Sequence, residues 1–228
     1  MSGLLAPQQF PDDDGSADPA LLAALASGDV GQVVAALASA RVLVPVVAVL
    51  GESGESSLTG LATDKSADMA LVTLTAADGR QVLAVFSSTA TLRAWDARAR
   101  PVPVHARRAA LSAVDDGCEL LVVDPGGAGV LVPRPALWAV AKDVPWVPSP
   151  DHPDVQAAVA RLADTESAVR SVGCEPGRRA ELAVVLGVRP GLTREEVDAL
   201  TARVGEALAA SPVVADLVDS LELRVVPA

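Results

Sequence analysis

The sequence predicts an α/β (α+β) protein: two small mixed α/β domains, each with a predominantly antiparallel or mixed sheet packed by helices, joined by a Pro-rich linker. Short Val-rich runs, typical of strands, alternate with segments whose apolar residues recur at helical spacing. Asp78 and Gly79 separate two strand-like runs and indicate a tight hairpin, because Gly accepts the positive φ that such a turn requires. Four prolines within residues 143–154 remove backbone donors and stiffen the chain, which indicates a linker.

The first predicted domain covers residues 18–142. It follows a leader, residues 1–17, that we expect to be disordered because it has no apolar periodicity. The Asp18-Pro19 pair is typical of the N-cap and first turn of a helix, and two short helices are predicted to pair there. The Val-rich run Val42–Leu50 predicts a buried strand, whose internal proline indicates an edge position or a bulge.

The remainder of the first domain is predicted to alternate strands with helices. Ser88 is expected to cap a helix that buries Leu92 and Trp95. The run Pro101–Pro103 is interpreted as a spacer before the next helix. The other predicted elements are strands at 71–75, 81–86, 120–123 and 130–132 and helices at 106–114 and from Pro135.

The second predicted domain covers residues 155–228 and has the element order α-β-β-α-β, which suggests a small sheet with helices on one face. Residues 167–174 and 180–188 are predicted to form a hairpin. Thr193 and Glu196 form a capping box at the start of the clearest helix in the chain.

Composition and charge exclude several classes of function. The chain carries a formal net charge of −11, with two Phe, three Trp and no Tyr. Nucleic-acid binding draws on basic side chains and aromatic stacking, so we expect no nucleic-acid partner. The chain shows neither a secretory signal nor an apolar run long enough to cross a bilayer, so we expect a cytoplasmic protein with no membrane partner.

The sequence shows no strong catalytic or metal-binding motif. Cys118 and Cys174 have no companion ligand at zinc spacing, and His105 and His152 lie far apart in the sequence. The glycines of 126–129 follow a strand but precede no helix, so turn chemistry explains them better than a phosphate loop. We therefore expect no cofactor, no metal and no identifiable catalytic residue.

Two groups of residues are candidates for contact with a ligand or partner. The first is a local reversal of the chain's acidity, in which guanidinium forks suit carboxylate or phosphate groups: Arg93, Arg98, Arg100, Arg107 and Arg108. These arginines can equally be solvent-facing helix ends. The second is a possible pocket formed by Asp64, Lys65 and Asp68, where a lysine could separate the pKa values of two carboxylates; the alternative is a solvated turn.

Eight short segments occur in an order that resembles the SseB (enhanced serine sensitivity) family, particularly its actinobacterial members. They run from Leu43-Val44-Pro45-Val46 through Asp64–Ala70, Asp78-Gly79-Arg80, Val85–Ser88, Leu92–Trp95, Ala99–Val104 and Leu121–Pro125 to Val132-Pro133. Residues 183–192 and the strand after Asp219 are similar to the family's C-terminal domain. The resemblance implies an α/β fold and assigns no catalytic residues.

These observations favour a non-catalytic protein-binding or regulatory protein that uses the face around Arg93–Arg108 against an acidic protein partner. The alternative is a small-molecule sensor or enzyme connected with amino-acid (serine) metabolism. The family's serine phenotype and the Asp64, Lys65, Asp68 group suggest it. The oligomeric state is not predicted.

Overall fold

The computed structural model describes Phe10 and residues 13–49, 68–127 and 129–228. It confirms the mixed α/β class. The chain divides into two compact units: unit 1 comprises Met1–Val132 and Val140–Asp143, and unit 2 comprises Pro133–Ala139 and Val144–Ala228. One helix is thus divided between the units, and the predicted linker at 143–154 stays a prediction.

Unit 1 contains four helices and seven strands in its described residues, and a fifth helix spans the division between the units. The elements are α1 (Pro19–Ser27), α2 (Val30–Leu37), β1 (Arg41–Val49), β2 (Asp68–Leu71), β3 (Thr73–Thr75), β4 (Gln81–Val85), α3 (Thr89–Trp95), β5 (Arg100–His105), α4 (Ala106–Asp115), β6 (Leu120–Val123), β7 (Val130–Val132) and α5 (Arg134–Lys142).

The strands of unit 1 form two sheets, with strand orders β2-β1-β5 and β3-β4-β6-β7. All pairs are antiparallel except β4 with β6, which is parallel. The sheets are joined where Leu43 and Phe86 exchange two backbone hydrogen bonds of 2.8 Å. The predicted hairpin is confirmed as β3 and β4, with Gly79 at φ 89 in the turn.

The prolines of the first sheet lie where no inter-strand donor is needed. In an antiparallel pair, the backbone N–H and C=O groups of successive residues point alternately toward and away from the partner strand. Those of Leu43 and Pro45 point away from β5. The backbone nitrogens of the β5 residues paired with them, Pro103 and Pro101, therefore face the outer edge of the sheet. The predicted spacer is therefore wrong: Pro101 and Pro103 belong to edge strand β5, where a missing N–H costs no ladder bond.

Pro45 lies inside β1, which is the central strand of its sheet. Its carbonyl accepts a 3.4 Å hydrogen bond from Val72, so its nitrogen faces the gap between the Leu43–Phe86 pair and the β2 ladder. The predicted strand is confirmed over Arg41–Val49, but the expected edge position or bulge at Pro45 is wrong, because the proline occupies a local gap in pairing within a central strand.

Side-chain caps fix the helix starts as the sequence predicts. The Asp18 carboxylate accepts hydrogen bonds from the N–H groups of Ala20 and Leu21 at 2.8 and 3.1 Å. Ser88 and Thr91 form a capping box at α3. That helix packs Leu92 into a cluster with Leu43, Ala84, Phe86 and Ala99.

Unit 2 contains a 3₁₀ turn (Ser149–Asp151), α6 (Pro153–Thr165), β8 (Val169–Pro176), β9 (Leu182–Val188), α7 (Arg194–Ala209), α8 (Pro212–Leu217) and β10 (Leu221–Pro227). Its sheet has the order β10-β9-β8, with β8 antiparallel and β10 parallel to β9. The predicted hairpin, capping-box helix and closing strand are confirmed, and α8 is an addition. The core of the unit includes Leu182, Leu186, Leu200 and Leu208.

The capping box of α7 gives a direct test of local stability. Thr193→Ala removes the hydroxyl that accepts the Glu196 N–H at 3.2 Å, and we expect the free energy of unfolding to fall by about 1 kcal/mol. Urea unfolding followed by circular dichroism measures the change. Ser211→Ala is the matched control, because Ser211 begins α8 without a side-chain capping bond. Equal effects of the two substitutions would contradict the role of the Thr193 cap.

Candidate functional site

The carboxyl ends of the parallel strands β4 and β6 are tied together by Asp124. Its backbone N–H extends the parallel ladder by donating to Val85 O at 2.9 Å. Its carboxylate accepts the Ser87 N–H at 2.8 Å and the Ser87 hydroxyl at 2.6 Å. Ligands of α/β sheets commonly bind outside the carboxyl ends of parallel strands, so the region around Asp124 is a candidate ligand site.

Asp124 adopts a left-handed backbone conformation with φ 53. Among non-glycine residues, Asp and Asn enter this region most readily, and the two bonds from Ser87 hold the side chain in place. Each carboxylate oxygen accepts one of these bonds and keeps further acceptor capacity. The Asp124 carboxylate is therefore fixed in position and can still accept further hydrogen bonds.

A groove of about 650 Å³ opens beside this carboxylate. Its walls come from α1, from α3 and from the loop after β6. The lining residues are Ala17, Leu22, Leu25, Ala26, Ser87, Ser88, Thr91, Ala94, Trp95, Asp124, Pro125, Gly126 and Gly127. Leu22 is 55% exposed, so the α1 wall offers uncovered apolar surface.

Trp95 forms an aromatic wall of the groove. Its ring centroid lies 5.3 Å from that of the fully buried Phe86, at an interplanar angle of 42°. On the loop side, a Cβ at Gly126 would come within 3.1 Å of the indole Cδ1, and Gly126 has φ 98. A glycine is thus required for the loop to approach Trp95 this closely. The sequence-based expectation of a buried Trp95 is only half met, because the ring is half-buried.

Arg41, the first residue of β1, holds residues 13–17 against the same region. Its guanidinium contacts Asp13 Oδ1 at 2.7 Å and Ser87 O at 3.0 Å, and it also donates to Ser16 O. The Thr89 N–H donates to Gly15 O at 2.8 Å. These residues were expected to belong to a disordered leader, yet they make specific contacts.

A second cavity, of about 840 Å³, is lined in part by residues 13–17. It shares Ala17, Leu22 and Ser88 with the groove. Its lining residues are Asp13, Asp14, Gly15, Ser16, Ala17, Leu22, Leu43, Ser88, Thr89, Ala90, Arg93, Pro101 and Pro103. Of the five predicted contact arginines, Arg93 is the one that lines this cavity.

Strand alternation separates Arg93 from Arg100. Pro101 and Pro103 face the second cavity together with Arg93. Successive side chains of a strand point to opposite faces, so Arg100 lies on the opposite face of β5 from the cavity. These two arginines therefore do not form one continuous surface.

The other predicted arginines are partly engaged within the chain. Arg98, whose side chain is 91% exposed, pairs with Asp96 at 3.3 Å. Arg107 donates to Asp143 Oδ2 at 3.4 Å and to Ala141 O at 3.5 Å. Arg108 is half-buried on α4.

The predicted pocket of Asp64, Lys65 and Asp68 stays a prediction. Asp64 and Lys65 lie outside the described residues, and the backbone of Asp68 pairs with Val49 at the start of β2. Ser87 and Asp124 are not among the site residues predicted from the sequence. The available signal was a polar residue directly after each of two buried strands, but local patterns did not reveal that β4 and β6 are parallel neighbours.

The described residues offer little nucleophilic or metal chemistry. They contain no cluster of three or more His, Cys, Asp or Glu side chains arranged to hold a metal ion. Burial raises the pKa of the Cys118 thiol, with a further contribution from Asp116, and burial also raises the pKa of Cys174. Both thiols therefore stay protonated at neutral pH and are poor nucleophiles.

Comparison with known proteins identifies the family. The model of the SseB protein N-terminal domain matches residues 19–139, just over half of the 228-residue chain. The chain belongs to the SseB family. The match includes Ser87, Asp124, Trp95 and the five arginines. No curated protein and no solved structure matches the chain. No helix of the described SseB chain is long and apolar enough to span a membrane.

Unit 2 of this SseB chain contains a separate polar cluster around Glu181. Burial raises the pKa of the Glu181 carboxyl, and the hydrogen bond from the Asp219 N–H offsets only part of the effect. The Asp219 N–H donates to Glu181 Oε2 at 2.8 Å, and the Asp219 carboxylate accepts the Arg134 N–H at 3.1 Å. The cluster joins the starts of α5 and β9 to the chain before β10, which suggests a structural role.

The raised pKa of Glu181 predicts a pH-dependent stability. The folded state favours the protonated carboxyl of Glu181. The protonated group therefore adds its full contribution to the free energy of unfolding below the unfolded-state pKa of about 4.3. That contribution is lost as pH rises through the higher pKa of the folded state. Glu181→Gln keeps an oxygen for the Asp219 N–H and should remove that loss. Urea unfolding between pH 4.5 and 8 should show the variant gaining stability relative to wild type as pH rises.

Glu166→Gln provides a control of opposite sign. The Arg203 guanidinium donates two hydrogen bonds to Glu166, at 2.8 and 2.9 Å, and lowers the pKa of that carboxyl. Its replacement should slightly reduce stability at neutral pH, with the loss fading toward acid. A Glu181→Gln variant that is less stable than wild type at pH 7 would show that the buried carboxylate is held in its charged form.

Proposed function

We propose that this SseB-family chain is a non-catalytic binding or regulatory protein of the cytoplasm, and that it binds an acidic protein partner through Arg93. The observation that carries the proposal is the position of Arg93. Its exposed side chain lines the second cavity, and it has no salt bridge within the described part of the chain. A planar guanidinium with free donors suits a carboxylate of a partner.

The surroundings of Arg93 support an interface. Leu22 supplies exposed apolar surface, and Pro101 and Pro103 give the cavity a rigid wall. Arginine beside apolar surface is typical of residues that dominate binding energy at protein interfaces. The two acidic side chains of the cavity have internal partners, since Asp13 pairs with Arg41 and Asp14 accepts the Ser16 N–H at 2.8 Å.

The chemistry of the nearby polar groups favours binding over catalysis. The Ser87 hydroxyl donates to Asp124, and Ser88 caps α3. A catalytic serine is usually activated by an adjacent general base such as histidine, and no histidine is among the residues that line either cavity. Arg98 and Arg107 already contact Asp96 and Asp143, so we assign them smaller roles in partner binding.

Partner capture followed by quantitative binding tests the proposal. The partner is purified from a native lysate, identified, and titrated in pure form with the full chain and with Arg93→Ala. We expect Arg93→Ala to weaken binding about tenfold or more, as loss of a charge-assisted hydrogen bond does, and to reduce its salt dependence.

Arg161→Ala is the matched control, because it removes an exposed arginine from α6 in unit 2. It should leave the affinity unchanged. If the wild type and Arg93→Ala capture the same partners with equal affinity, Arg93 is not the contact. If the captured partner carries no acidic surface, the charge argument is wrong.

A further inference from the structure

The groove beside Asp124 has a single charged group. Among its thirteen lining residues, Asp124 is the one with a charge, and the others are apolar, hydroxyl-bearing or glycine. Arg93 lines the neighbouring cavity instead. A site with one carboxylate and apolar walls complements a cation attached to an apolar body.

We propose that this groove binds a small organic amine, with its primary ammonium on the Asp124 carboxylate and its apolar chain along Leu22, Leu25 and Trp95. This site shares Leu22 with the Arg93 contact but is centred on a different charged side chain and has the opposite charge preference. Its ligand class goes beyond the binding of an acidic protein. The proposal gives the SseB domain a small-molecule site.

The geometry at Asp124 suits an ammonium group. Ser87 holds both carboxylate oxygens, at 2.8 and 2.6 Å, so the carboxylate is already oriented before a ligand arrives. Each oxygen keeps acceptor capacity for a charge-assisted bond, and no lysine or arginine lines the groove to compete for it. The indole of Trp95 adds a ring to which a cation is attracted.

The walls suit an alkyl chain. Leu22 is 55% exposed, and Leu25 and Ala26 continue the same helical wall. Removing such surface from water stabilises a complex by about 0.8 kcal/mol per buried methylene, or about fourfold in affinity. The volume of about 650 Å³ lies within the usual range for small-molecule pockets.

Other ligand classes fit less well. An anion would meet the Asp124 carboxylate, and no cation is among the residues that line the groove. A free amino acid would place its own carboxylate in a groove whose lining residues provide no basic side chain. A lysine side chain of another protein has the same ammonium and stem, so the experiment must separate it from a free amine.

Isothermal titration of the full chain with butyl-, pentyl- and hexylammonium chloride tests the proposal. We expect saturable binding at one site and an affinity that rises with chain length, by at most about fourfold per methylene. Hexanol and hexanoate test the need for the charge and for its sign, and both should bind at least about tenfold more weakly. Equal binding of hexanol, or no dependence on chain length, would overturn the assignment.

Asp124→Asn removes the charge while keeping a residue that tolerates φ 53. It should weaken hexylammonium binding about tenfold. Asp115→Asn removes an exposed acid of α4 and should leave the affinity unchanged. Ala26→Leu, on the exposed α1 wall, fills the groove without altering Asp124, and it should weaken the longest amine most.

Three further results bear on the amine-binding proposal. If Asp124→Asn misfolds by circular dichroism, Ala26→Leu alone carries the test, and unchanged hexylammonium affinity in that variant overturns the site. Tighter binding of Nα-acetyl-lysine methylamide than of hexylammonium would reassign the groove to a protein side chain. Arg93→Ala should bind hexylammonium normally, so failure of the acidic-partner proposal and failure of this one are distinguishable.

Discussion

The Leu43–Phe86 backbone pair is the constraint on which the site in unit 1 depends. Its two hydrogen bonds join β1 of one sheet to the end of β4 in the other. The pair fixes where Ser87 stands, because Ser87 is the next residue. From there the Ser87 carbonyl meets Arg41, and its N–H and hydroxyl meet Asp124. One backbone junction therefore positions the groove floor and the segment of residues 13–17.

Local sequence signals predicted local structure well. The caps at Asp18, Ser88 and Thr193 bond to residues no more than three positions away. The Asp78-Gly79 turn joins two strands that are adjacent in the sequence. Each of these features can therefore be predicted from a short stretch of sequence. The class and most elements follow from such signals. Pro101 and Pro103 misled the interpretation because their compatibility with a strand depends on which edge of the sheet they face.

The candidate site was harder to predict because its contacts are distant in sequence. Asp124 reaches Ser87 across 37 positions, and Arg41 reaches Ser87 across 46. The Asp124 contact requires the parallel pairing of β4 with β6, and the Arg41 contact requires the junction of the two sheets. Hydrophobic periodicity along the sequence predicts neither arrangement. Charge counting along the chain grouped Arg93 with Arg100, which strand alternation turns to the opposite face.

The two cavities of unit 1 share a wall of Ala17, Leu22 and Ser88. In the two proposals, the Asp124 carboxylate binds a cation in the groove and the Arg93 guanidinium binds an anion in the second cavity. Because both proposed ligands would contact Leu22, we expect the binding of one to change the surface offered to the other. Binding linkage is reciprocal, so an amine that favours the acidic partner must itself be bound more tightly when the partner is present. Arg41 contacts Asp13, Ser16 and Ser87, of which Ser16 and Ser87 adjoin Ala17 and Ser88 of the shared wall, so it is the residue best placed to set the strength of any such coupling.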